Sequence, residues 1–218
     1  VINKKFDYFS IFFLGLFLLD NVSAQDVVKT HAPYIGIIGG YGSTTWDGLV
    51  PSSRNQNVAM SMSTPIEVKE GGGVWGFLAG YEFSPYFAIE ANYLRYPDAE
   101  VAFDALSLFT FNHDGVTKFT SSTESLSIMG KIMLIIPDTK IRAYSGAGIA
   151  NLHREDMIVD DWRVSPTFGV GFIYPISEHL MGSLSGEYTA GFGESQLNPA
   201  DTYYPFLYSA TVRLAYRF

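Results

Sequence analysis

Residues 205–218 read PFLYSATVRLAYRF, and their side chains divide by parity. Phe206, Tyr208, Ala210, Val212, Leu214, Tyr216 and Phe218 are apolar, with aromatics at both ends. Leu207, Ser209, Thr211, Arg213, Ala215 and Arg217 alternate with them and are mostly polar. Successive side chains of a strand point to opposite faces, so this stretch is a two-faced strand. Which face lies inside decides the fold. In a soluble sandwich the apolar face is the core. In a transmembrane barrel it meets lipid, and aromatics gather at the two interfaces. Aromatic rims on one face and charges on the other favour the barrel.

The same division recurs along the chain. Trp75, Phe77, Ala79, Tyr81 and Phe83 oppose Gly76, Gly80 and Glu82. Leu126, Ile128, Gly130, Ile132 and Leu134 oppose Ser125, Ser127, Met129, Lys131 and Met133. Phe168, Val170, Phe172 and Tyr174 oppose Thr167, Gly169, Gly171 and Ile173, and Leu184, Gly186, Tyr188 and Ala190 oppose Ser183, Ser185, Glu187 and Thr189. Eight strands are expected, over residues 34–46, 74–84, 86–97, 124–136, 141–152, 163–174, 180–192 and 205–218. Small residues on both faces leave the inward register of 141–152 open. Connections alternate between short ones and the long segments 47–73, 98–123, 153–162 and 193–204, the pattern of periplasmic turns and extracellular loops. The fold class is therefore all-β: an eight-stranded antiparallel transmembrane barrel with both termini in the periplasm.

Composition excludes other classes. Charged residues make up 17 % of the 218-residue chain, against roughly 25 % in ordinary soluble domains. Aromatics reach 16 %, too many for a disordered chain. The net charge of -8 provides no basic face for nucleic acid. With no cysteine there is no disulfide, thiolate metal site or cysteine nucleophile. The apolar run Phe9 to Leu19 follows Lys4 and Lys5 and precedes Val22-Ser23-Ala24. This is the pattern of a secretory signal, with cleavage expected after Ala24. The run falls short of the about 20 residues that span a bilayer. Residues 1–24 are read as a signal peptide and 25–218 as the barrel domain.

Residues 101–120, with Asn112-His113-Asp114-Gly115 as a turn, read as a hairpin rising above the membrane from the second long loop. A ninth crossing would put the termini on opposite sides. The apolar Leu106, Leu108, Phe109 and Phe111 are then expected to form an exposed loop patch, a contact site outside the cell, unless they pack on Met60 and Met62 of the first loop.

The chain resembles the OmpA-like transmembrane domain, within a wider group of small outer-membrane surface proteins. The resemblance rests on Tyr34-Ile35-Gly36, on residues 87–93 (FAIEANY), and above all on the ending. Val212, Leu214, Tyr216 and Phe218 are similar to the C-terminal signal read by the barrel-assembly machinery. It implies a bacterial outer-membrane location, with outer-membrane lipid and lipopolysaccharide as surroundings. The resemblance is to the transmembrane domain alone, so the peptidoglycan-binding domain of longer members is not expected. Parity points Glu82, Glu90, Lys131, Arg142, Glu187 and Arg213 into the barrel. Isolated charges there would be costly, so they should pair. The resemblance implies that such a cluster plugs the pore, carried by Glu90, Lys131, Arg142 and Glu187.

The expected role is a non-enzymatic surface or structural protein, serving envelope integrity and adhesion to a host or surface ligand through residues 47–73 and 98–123. Two alternatives stand beside it: a narrow porin-like channel for small solutes, and a lipid A-modifying enzyme. The enzyme requires a histidine beside a serine near the outer surface. His31, His113, His153 and His179 all fall in or beside connections, and no catalytic, cofactor or metal residue is assigned.

Overall fold

The computed structural model describes residues 31–46, 65–192 and 203–218. The signal segment with Ala24, most of residues 47–73, and Met60 and Met62 lie outside the described residues. The strands are β1 (Ala32–Thr44), β2 (Glu67–Lys69), β3 (Gly72–Ser84), β4 (Phe87–Arg95), β5 (Ala99–Ala102), β6 (Lys118–Ile135), β7 (Arg142–Glu155), β8 (Asp160–Pro175), β9 (Leu180–Thr189) and β10 (Leu207–Arg217). A short helix, α1, spans Leu108–Asn112.

Eight of the strands close into a ring, in the order β1-β3-β4-β6-β7-β8-β9-β10. Every pairing is antiparallel, and β10 returns to β1 in the register Tyr34↔Arg217 through Thr44↔Leu207. Short β2 and β5 are the two strands outside the ring. β5 pairs with Lys118 to Ser121 of β6, above the point where β4 stops, and β2 pairs with β5. Closure leaves the barrel wall without a free sheet edge, the condition for strands to cross hydrocarbon.

The wall is apolar outside and polar within. Ile37, Leu134 and Val212 are 57 %, 68 % and 64 % exposed, values that would be a liability in water and suit contact with lipid. Aromatics gather at both ends of this band. Tyr81 packs on Phe83 and Tyr216 on Phe218 at the turn end. Trp75 packs on Tyr93 and Tyr188 on Tyr208 at the loop end. The inward positions of β10 are Leu207, Ser209, Thr211, Arg213, Ala215 and Arg217, all buried.

The register that sequence left open is settled for β7. Arg142, Tyr144, Gly146, Gly148, Ala150, Leu152 and Arg154 face inward. Gly146 pairs with Lys131 and Gly148 with Met129 of β6, so the long inward side chains of β6 lie beside positions that have none. A Cβ at Gly148 would sit on the Ile128 carbonyl oxygen, whereas one at Gly130, on the outer face, would meet only Phe87 Cε2 at 3.9 Å. Gly148→Leu is therefore expected to abolish refolding, and Gly130→Leu to preserve it. The shift in gel mobility between heated and unheated samples reads this out.

Candidate functional site

The lumen holds two ionic networks, one above the other. In the network nearer the loops, Glu90 Oε1 accepts from Lys131 Nζ at 2.5 Å and from Arg213 Nη1 at 2.7 Å. Arg213 Nη2 donates to Glu187 Oε1 at 2.5 Å, and Asn92 Nδ2 donates to the same oxygen at 3.2 Å. The Tyr34 hydroxyl donates to the second oxygen of Glu90 at 2.9 Å. These residues come from β1, β4, β6, β9 and β10, so the network ties strands on different sides of the barrel. Gly80 makes room for Tyr34, since a Cβ there would lie on the phenol ring. Lys131 Nζ also rests 4.4 Å from the centre of the Tyr144 ring, and the Tyr144 hydroxyl donates to Ser185 Oγ at 2.6 Å.

The network nearer the turns is separate. Glu82 lies 2.7 Å from Arg142 and 3.0 Å from Arg217. Methionine sulfurs also accept here, Met133 from Arg142 Nη1 at 3.6 Å and Met181 from Arg217 Nη2, the nitrogen that also faces Glu82, at 3.5 Å. This corrects the expected single cluster. Arg142 pairs with Glu82, near the turn end of β3, because β7 brings it in at its first residue. Arg217 is the member that sequence reasoning missed. Its inward parity is the same as that of Arg213, two alternations along β10. The cavity between the networks, lined by Tyr34, Glu82, Glu90, Lys131, Met133 and Met181 among others, measures about 10 Å³, room for about one water molecule.

The loop end carries a roof. Trp46, just past β1, is 1 % exposed. Its ring packs edge-on against Phe119 and Tyr203 at 5.8 and 5.0 Å. Ala99, Val101, Phe103 and Phe109 complete this apolar cluster, with Val68 and Ile158 against it. Each of the four loop-end connections thus contributes to one small core above the lumen. Arg154 underlies it: its guanidinium lies 4.8 Å from the Trp46 ring, donates to Asp156 Oδ2 at 2.6 Å and to the Tyr203 carbonyl at 2.6 Å. Burial pushes the Tyr203 hydroxyl pKa up, and that hydroxyl donates to the Thr45 carbonyl at 2.9 Å. Arg154 falls beyond the expected end of its strand, which continues to Glu155.

The expected hairpin over 101–120 is corrected in its first arm. Only Ala99–Ala102 is strand. The chain then turns into α1, capped by Ser107, whose hydroxyl accepts from the Thr110 amide at 3.1 Å. The Thr110 hydroxyl donates to the Asp104 carbonyl at 2.8 Å. Local side-chain bonds of this kind compete with a strand ladder. Asp114 and Gly115 do make a turn with positive φ, 51° and 83°. The loop patch is corrected at one residue: Leu106, Leu108 and Phe111 are exposed, but Phe109 is buried and stacks on Phe103 at 4.0 Å.

Three of the four histidines stack on an aromatic ring. His113 closes α1 and stacks on Phe109 at 4.2 Å. His153 stacks on Trp162 at 4.5 Å, and its Nε2 lies 2.9 Å from Asp160. His179 stacks on Tyr216 at 5.6 Å. Of the predicted assembly signal, Val212, Leu214, Tyr216 and Phe218 all face outward.

Replacing Glu90 by Gln removes the carboxylate shared by Lys131 and Arg213 and leaves buried charge uncompensated. The cost is expected to be about 3–5 kcal/mol, read as a lower urea midpoint in detergent micelles. Arg154→Ala is expected to keep the barrel folded while chymotrypsin cuts faster after Trp46 and Tyr203, because the roof loses the cation that joins its loops.

The sequence profile of the outer membrane protein beta-barrel domain matches residues 12–218. An uncharacterized protein of Coxiella burnetii is 24 % identical over 216 residues, covering 85 % of this chain and 84 % of that one. Among solved structures, the outer membrane protein OprG from Pseudomonas aeruginosa superposes with a TM-score of 0.50 at 13 % identity, over 88 % of this chain and 99 % of that one. Neisserial surface protein A gives 0.50 at 13 % identity, over 85 % and 97 %. At such identity these likenesses carry the fold alone. The chain belongs to the outer membrane protein beta-barrel domain family, and its place is the bacterial outer membrane.

Proposed function

We propose that this protein is a non-enzymatic, plugged surface barrel whose lumen serves stability and whose roofed loop end meets partners outside the cell. The observation that carries this reading is the pairing of a closed lumen with a built loop platform. Seven charged side chains occupy the lumen and the cavity between their two networks is about 10 Å³, while the loops form their own apolar core. On that platform Leu106, Leu108 and Phe111 are 73 %, 48 % and 68 % exposed. Leu108 and Phe111 are spaced by one helical turn on α1 and point away from the buried Phe109 and Thr110. Exposed apolar side chains clustered on an ordered support are typical of contact sites. The chemistry fits adhesion to an apolar patch on a host or surface ligand, and the rigid barrel beneath fits a part in envelope integrity. The barrel-assembly machinery is the partner implied for insertion, through the apolar outward face that ends at Phe218.

The triple replacement of Leu106, Leu108 and Phe111 by Ser is expected to reduce attachment of barrel-coated beads to cultured host cells several-fold without altering heat-dependent gel mobility. Equal attachment would remove the platform from the proposal.

In a planar bilayer the refolded barrel is expected to show no steady openings. Openings that change with Glu187→Gln would instead favour a narrow solute channel, and a changed lipid A mass spectrum in cells lacking the protein would favour an enzyme.

A further inference from the structure

The outer wall of the barrel is not uniformly convex. On its loop-side half, four outward residues stand in one transverse row: Tyr41 faces Ala210, Ala210 faces Gly186, and Gly186 faces Val170. The next row toward the loops runs Ser43, Tyr208, Tyr188, Phe168 in the same way. Two adjacent positions at the centre of the wall therefore have almost no side chain, and larger residues surround them. The result is an open-sided pit of about 450 Å³. A Cβ on Gly186 would meet only Val170 Cγ2, at 4.0 Å, so the chain itself does not fill the space. Ser43 is the small member of the upper row.

From this arrangement we infer that the pit holds one acyl chain of a lipid A molecule. Its side chains face the hydrocarbon, so water and soluble ligands do not reach it. Its floor is carbon, which selects a hydrocarbon occupant over a headgroup. Its place in the loop-side half puts it in the outer leaflet, since long loops mark the outside. An acyl chain seated there would lie on Ala210 and Gly186, between Tyr41 and Val170. The Tyr188–Tyr208 pair, with centroids 5.2 Å apart, would bound it toward the headgroups.

The test uses the refolded full barrel in detergent with purified hexa-acylated lipid A as probe, read by native mass spectrometry. Gly186→Phe fills the pit from open space, and Ala210→Leu does so from the neighbouring strand. Ile132→Phe, on the wall formed by β6, is the control. One retained lipid A is expected on wild type and control. The two filled variants should bind it roughly tenfold more weakly, the effect of withdrawing about two methylenes from an apolar site. Heat-dependent gel mobility of each variant confirms folding, and either variant alone suffices. Equal retention by all four proteins would overturn the inference. So would retention of a phosphatidylethanolamine probe to the same degree as lipid A. A dimer mass that disappears in the filled variants would overturn it as well, by assigning the pit to a second copy.

Discussion

The pairing of β1 with β10 is the constraint on which everything else depends. Hydrocarbon offers no partner to a backbone amide or carbonyl, and an unpaired edge there would cost several kcal/mol per group. The register from Tyr34↔Arg217 to Thr44↔Leu207 removes that edge. It also fixes what faces what inside. The same pairing sets Tyr34 and Arg217 side by side at the turn end and delivers Arg213 to the middle of the lumen. There it bridges two carboxylates from β4 and β9. Closure and plugging are thus linked, since Arg213 and Arg217 of the last strand reach Glu90 and Glu82 on β4 and β3 inside the closed ring.

The ring inverts the usual relation between burial and polarity. Its outward aliphatic side chains gain nothing from packing against other protein and everything from lipid. Its interior must then absorb charged groups in a narrow space. Glu82, Glu90 and Glu187 face Lys131, Arg142, Arg213 and Arg217, all nearly inaccessible. Such groups lose much of their hydration energy, so mutual pairing repays it only where geometry is good. Sharing achieves this. Glu90 serves two cations and a phenol, Glu187 serves a guanidinium and an amide, and Glu82 serves two guanidinium groups.

Above the membrane the protein builds a conventional core of modest size. Trp46, Phe103, Phe109, Phe119 and Tyr203 pack together in water, and Arg154 couples that core to the barrel by a cation–π contact and charge-assisted hydrogen bonds. The protein therefore has two regions with opposite solvent logic, joined at the loop end of β7.

Parity alone determined a great deal. Alternation between Trp75 and Phe83, or between Phe206 and Phe218, is a property of consecutive residues, and the pleat converts it directly into two faces. The inward placement of Glu82, Glu90, Lys131, Glu187 and Arg213 follows from it. On β7 alternation failed, because Gly146, Ala147, Gly148 and Ala150 give the two faces nearly equal character, and only the pairing with β6 chose between them. Which charge meets which was likewise beyond reach. Arg142 joins Glu82, and Arg213 joins Glu90, through strands far apart in sequence. The helix at Leu108–Asn112 hid behind apolar spacing that suits a strand equally well. Its Ser107 cap and the seat for Phe109 between Phe103 and His113 exist only once the loops have met. Local periodicity is written residue by residue, whereas register, partner choice and the roof depend on distances that only the closed barrel defines.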